Sequence, residues 1–263
     1  MTALHVFSGH HEAVAAPAVR KIGPADLAQA LRLGIADFAL MPSHVVFLCL
    51  IYPIVGIVLA RLVLGYDILP MLFPLAAGFA LVGPLAALGL YEISRRREQG
   101  LEVSWRHAFG VLRSPSLWSI VALGVLLMVI FLVWLGVANA IYVMTFGYVP
   151  AASIPDFLAR VFGTPEGWTL IVVGNGVGFL FAAGVLAISV VSFPLLLDRD
   201  VGAITAMLTS VRAVAANPVT MSLWGIIVAL TLAIGSLPFF MGLTVAVPVL
   251  GHATWHLYRR VVA

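Results

Sequence analysis

Residues 117–145 read LWSIVALGVLLMVIFLVWLGVANAIYVMT and carry no charge at any position. A helix crosses about 30 Å of hydrocarbon with roughly 20 apolar residues, so this stretch is long enough to span a bilayer with residues to spare. Hydrocarbon offers the backbone no hydrogen-bond partner, so such a run must close its own N–H and C=O groups, as an α-helix does. Working outward, the chain offers five more apolar stretches, at 44–64, 68–90, 168–193, 219–236 and 238–257. The last two are separated only by a turn at Leu237, and Pro238 suits the first turn of a new helix, where its missing N–H costs nothing.

Composition agrees with this reading. The 263 residues are 62% hydrophobic and 10% charged, with a mean hydropathy of +1.12; a soluble domain carries about a quarter charged residues. A water-soluble globule, a disordered chain, a coiled coil and a disulfide scaffold are all excluded, the last because Cys49 is the only cysteine. The predicted fold class is all-α: a polytopic transmembrane helical bundle of about six spans, with three cytoplasmic interfacial amphipathic helices. Residues 1–23 form an N-terminal cytoplasmic tail without the apolar core of a cleavable signal peptide. Residues 24–263 form a single membrane domain.

Basic residues set the orientation. Arg20, Lys21 and Arg32 precede the first span, Arg95, Arg96, Arg97, Arg106 and Arg113 follow the second, Arg199 and Arg212 follow the fourth, and Arg259 and Arg260 end the chain. Only Arg61 and Arg160 fall on the opposite side, which puts both termini in the cytoplasm. The net charge of +3 belongs to these loops and points to membrane lipids as partners, with another membrane protein as a second class; nucleic acid is not expected.

The three cytoplasmic segments look alike. In 24–40 the helical spacing groups Leu27, Leu31, Ile35 and Phe38; in 104–113 it groups Trp105, Ala108, Phe109 and Leu112; in 200–216 it groups Val201, Ile204, Leu208, Val211 and Ala215. Each ends at a proline, Pro42, Pro115 or Pro218, whose ring keeps the preceding residue out of helical dihedrals. An amphipathic helix followed by two spans thus predicts a threefold repeat over 24–100, 101–193 and 194–263.

Three stretches carry a family resemblance: Gly83-Pro84 through Gly89 and Glu92 to Arg95; Ser192-Phe-Pro194 through Asp198-Arg199-Asp200 to Asn217-Pro218; and Pro248-Val-Leu-Gly251-His252-Ala-Thr-Trp255-His256-Leu-Tyr258-Arg259. Together they resemble a bacterial family of predicted integral membrane proteins, domain of unknown function 2189, over nearly the whole chain beyond the tail. The resemblance implies a bacterial inner-membrane protein of about six spans and no established activity.

Candidate sites are few. His252 and His256 stand four apart on one helix face, and with His44 they are the only histidines inside or at the end of a span; imidazoles so placed suit a metal or haem iron, although no carboxylate is near them in sequence. The competing reading makes Trp255, Tyr258 and Arg259 an interfacial belt, gives His252 a hydrogen bond within the bundle and turns His256 to the headgroups. Asp198, Arg199 and Asp200 read as capping and charge-pairing residues, with Asp200 or a neighbour as N-cap of the third amphipathic helix. Gly174 and Gly178 form a small-residue stripe for close helix approach, across which Asn175 can hydrogen-bond. No cofactor is expected. The spans lack the interior ionisable groups of coupled transporters, and no nucleophile motif appears. The leading expectation is a non-enzymatic scaffold, assembly or docking protein; a carrier of a lipid or small amphiphile, and a haem or metal protein, are the alternatives.

Overall fold

A computed structural model describes residues 17–41, 70–148, 153–237 and 241–263. The expected first span at 44–64, with His44 and Pro42, lies outside these residues, as do the first sixteen residues. The described chain is helical: α1 (Pro24–Leu40), α2 (Leu72–Leu81), α3 (Gly83–Ala86), α4 (Leu88–Glu98), a 3-10 helix (Trp105–Arg113), α5 (Leu117–Phe146), α6 (Ile154–Gly163), α7 (Pro165–Ser189), α8 (Ser192–Asp198), α9 (Ala203–Ala216), α10 (Pro218–Ser236) and α11 (Leu243–Val261). No strand forms among the described residues; Val19 and Val262 make one antiparallel bridge.

The all-α class holds. Three stretches are long and apolar enough to cross a membrane: Leu117–Phe146, Pro165–Asp198 and Pro218–Ser236. They correspond to the expected spans at 117–145, 168–193 and 219–236. The second expected span is segmented into α2, α3 and α4, and the sixth begins, among the described residues, at Leu243 of α11.

The chain forms two compact units. The first comprises 1–53, 84–125 and 186–263, and the second 54–83 and 126–185. In the first unit, α11 lies against α1 at van der Waals distance through glycine: a Cβ at Gly34 would sit 2.7 Å from Ala253 N and 2.8 Å from Val249 O. Gly251 does the same for α4, where a Cβ would meet Leu90 Cδ1 at 2.5 Å. The segment before α1 is pinned at both edges. Arg20 N–H donates to Val261 O at 2.7 Å, Ala263 N–H donates to Ala18 O at 3.0 Å, and the Asn217 amide accepts from Ile22 N–H and donates to Arg20 O.

Within the second unit, α2, α5 and α7 pack around Trp134. Its indole N–H donates to Pro74 O at 2.8 Å, and its ring lies 5.5 Å from that of Phe181. A Cβ at Gly178 would approach Trp134 to 3.0 Å, so half of the glycine stripe serves close approach as expected. Gly174 has open space instead, and the Asn175 amide donates to Ile171 O of its own helix rather than across the stripe.

The amphipathic segments pack through their small residues. The buried residues of α1 are Leu27, Ala30, Gly34 and Asp37, and those of α9 are Ala203, Ala206, Thr209, Ser210 and Ala213. Ile35, Phe109, Leu112, Ile204, Leu208 and Val211 are exposed. Small residues win the packed face because they let backbones approach closely, and the bulky apolar stripe is left outward. The middle segment is also a 3-10 helix rather than an α-helix.

Candidate functional site

The first unit is centred on a polar cluster that no contiguous sequence motif announces. Asp37 of α1 is 4% exposed, and a carboxylate so enclosed needs donors. It has three. Ser94 Oγ donates to Asp37 Oδ2 at 2.5 Å, Arg97 Nη1 donates to Oδ1, and His256 Nε2 lies 2.9 Å from Oδ2. Burial pushes the Asp37 carboxyl up, but the hydrogen bonds from His256 and Ser94 outweigh it and hold the group below its ordinary value.

His252, fully buried, places Nδ1 2.7 Å from Ser94 Oγ. Since the Ser94 hydroxyl proton is directed at Asp37, His252 must supply the proton of its own contact, which selects the Nδ1–H tautomer. Its Nε2 has no hydrogen-bond partner among the described residues. The chemical order is carboxylate, hydroxyl, imidazole. In a nucleophilic triad the imidazole stands between the other two and removes the hydroxyl proton; here the hydroxyl stands in the middle, sealed from solvent.

A second layer extends from α11. Trp255 Nε1 donates to Glu98 Oε2 at 3.0 Å, Arg259 Nε donates to Glu98 Oε1 at 2.9 Å, and Tyr258 OH donates to Asp198 Oδ2 at 2.7 Å. Burial, then the hydrogen bond and charge of Asp198, push the Tyr258 phenol up. Trp255 and Tyr258 are each 1% exposed. They are anchors inside the unit and not a belt at its surface.

Several sequence-derived assignments are thereby relocated. His252 does hydrogen-bond inside the bundle, but His256 turns to Asp37 rather than to headgroups. A carboxylate does stand beside the two imidazoles, supplied by α1 from 215 positions or more away (252 − 37 = 215). Even so, no group of three His, Cys, Asp or Glu side chains is arranged to hold a metal among the described residues. Asp200 does not cap α9: the N-cap is Gly202, at φ +76°, with no side-chain cap. Asp200 instead accepts from Ser116 Oγ at 3.2 Å. Arg199 donates to the Ala263 carbonyl, and Pro218 opens α10 as N1, following Asn217, as its ring geometry demands.

Sequence reasoning missed Asp37, Ser94, Arg97 and Glu98. One signal was available for the first. Leu27, Ala30, Gly34 and Asp37 recur at i, i+3, i+7 and i+10, as helical a spacing as the bulkier stripe beside them.

Residues 71–198 match the model of a family described as predicted integral membrane protein (DUF2189). The Gly83–Arg95 and Ser192–Asp198 motifs fall within these residues, whereas the 248–259 stretch and the positions from Arg199 to Pro218 lie beyond them, so the resemblance narrows from nearly the whole chain to its middle. Ser94, Arg97 and Glu98 therefore come from the DUF2189 segment; Asp37, His252 and His256 do not. No curated protein and no solved structure matches the chain.

Proposed function

We propose that this DUF2189 protein is a non-enzymatic integral protein of the bacterial inner membrane, with both termini cytoplasmic. Its three amphipathic segments form a collar at the inner leaflet that serves assembly or the docking of a membrane partner. The observation that supports this reading is the outward apolar stripe. Ile35 of α1, Phe109 and Leu112 of the 3-10 helix, and Ile204 and Leu208 of α9 are each about half exposed or more, while the opposite, small-residue faces are packed. Segments too short to span, apolar on the outward side and joined to spans by proline, suit the boundary between headgroups and acyl chains.

The buried Asp37 cluster then has a structural task, joining α1, α4 and α11 so that the collar is held against the bundle. Spin labels at Ile35, Phe109 and Leu208 in reconstituted protein are expected to report interfacial depth, between bulk water and the bilayer centre. Labels freely mobile in water would reject the collar. Reporter fusions after Gly100 and Gly163 test the topology, with inside and outside the respective expectations.

A further inference from the structure

A cavity beside α4 lies wholly within the first unit, lined by Glu92, Arg95, Arg113, Asp198, Arg199 and Asp200 among others. Three guanidiniums and three carboxylates cancel in formal charge, so the cavity repels neither sign. Most of these groups satisfy one another. Arg95 is bidentate on Glu92, at 2.7 and 3.0 Å. Asp198 accepts from Tyr258 and stands 3.6 Å from Arg199 and 3.5 Å from Arg259. Two are left over. Arg113 has no hydrogen-bond or ion-pair partner among the described residues, and Asp200 has only the neutral hydroxyl of Ser116.

We propose that this cavity holds the headgroup of a phospholipid carrying both a phosphate and a primary ammonium, as phosphatidylethanolamine does, with Arg113 taking the phosphate and Asp200 the ammonium. A cation and an anion without charged partners among the described residues line one small cavity, Arg113 exposed and Asp200 half-buried, and so match a ligand with both charges. A planar guanidinium suits phosphate oxygens, and an ammonium with three N–H donors suits a carboxylate. At about 220 Å³ the space takes a headgroup and excludes the acyl chains. The cavity is bounded by the end of the 3-10 helix, the start of α5 and the end of α8, so it stands where two membrane-length helical stretches terminate. Leu112, next in sequence to Arg113, and Trp118, two positions beyond Ser116, are 65% and 69% exposed and offer apolar surface for the chains. The proposal rests on the interfacial placement of the 3-10 helix, which the Phe109 depth label tests separately.

The test uses the full-length protein in phosphatidylcholine nanodiscs containing equal minor fractions of phosphatidylethanolamine and phosphatidylglycerol, with retained lipids counted by native mass spectrometry. Phosphatidylethanolamine is expected to be enriched about tenfold over both others, the scale of one charge-assisted hydrogen bond. Arg113→Gln should abolish that enrichment, and Asp200→Asn should erase the preference over phosphatidylglycerol, both with melting temperature near that of the parent protein. Arg113→Lys should restore part of the enrichment. Equal retention of all three lipids, or enrichment unchanged in both variants, overturns the site. Equal retention of phosphatidylethanolamine and phosphatidylglycerol overturns the ammonium assignment. Soluble glycerophosphoethanolamine is expected not to displace the lipid; displacement at comparable concentration would assign the cavity to a soluble zwitterion instead.

Discussion

The two compact units are held together by different physics. The first surrounds a carboxylate with a hydroxyl, a guanidinium and an imidazole, and closes around it with glycine-mediated contacts between α1, α4 and α11. The described part of the second is largely apolar, with Trp134 at its centre and its indole hydrogen-bonded across helices to Pro74; Asp156 and Arg160 pair within the short helix α6. A buried carboxylate is specific about its partners and costly to leave alone, whereas an apolar cluster tolerates exchange of shape. Damage of similar size should therefore cost the first unit more.

The largest effect is expected from Asp37→Ala. It strands the Arg97, Ser94 and His256 donors, and losing one partner of a buried charged cluster costs about 3–5 kcal/mol. Hydrogen exchange should show α1, α4 and α11 losing protection while α2 and the part of α7 in the second unit keep theirs. Uniform loss across both units would erase the contrast. The glycines sharpen it further. Gly34→Ala drives a Cβ onto backbone atoms of α11, whereas Gly78→Ala meets the edges of Phe131 and Trp134, side chains that can shift. Overpacking costs typically about 1–3 kcal/mol, and Gly34→Ala is expected at the upper end and Gly78→Ala at the lower, read by melting temperature in detergent. The reverse order would show that the α1–α11 contact is looser than its geometry.

The histidines come next. His252→Ala opens a fully buried space and removes the Ser94 contact, while His256, with 13% of its side chain exposed, can be partly replaced by water. A cost of about 2–3 kcal/mol for His252→Ala and about 1–2 kcal/mol for His256→Ala is expected, in protein purified without an affinity tag and assayed for bound metal and haem. Stoichiometric metal lost in both variants would replace the packing account by ligation. Trp134→Phe, which removes one indole hydrogen bond in the second unit, should cost the least, about 1 kcal/mol.

Acid distinguishes the units by another route. The Asp37 carboxyl is held low by His256 and Ser94 against its burial, and the Asp26 carboxyl by the Gly23 backbone and Arg260. A lowered folded-state value means stability present above the ordinary carboxylate pKa of about 4 and lost as pH falls through the lowered one. Protection of α1 is therefore expected to hold at neutral pH and to drop below about pH 4, ahead of α2. Loss in both helices at the same pH would place the acid response outside these two groups.

Membrane character was legible in residues 117–145, because burying a backbone in hydrocarbon leaves few solutions and a long uncharged run satisfies one of them locally. The proline junctions at Pro115 and Pro218 were legible for a similar reason, since a ring constraint acts on the adjacent residue. Neither required knowledge of what packs where. The working face of α1 did. Two stripes, Leu27-Leu31-Ile35-Phe38 and Leu27-Ala30-Gly34-Asp37, have equal claim to helical spacing, and hydropathy favours the first. Tertiary structure decided for the second because Gly34 lets the α11 backbone come close and Asp37 meets Ser94, Arg97 and His256 there. The identity of a side chain's partner depends on which distant segments converge: His256 and Asp37 lie 219 positions apart in the chain (256 − 37 = 219) and 2.9 Å apart in the fold. Local periodicity determined that helices form and where they stop; only the convergence of α1, α4 and α11 determined that a carboxylate, a serine and two histidines would share one buried centre.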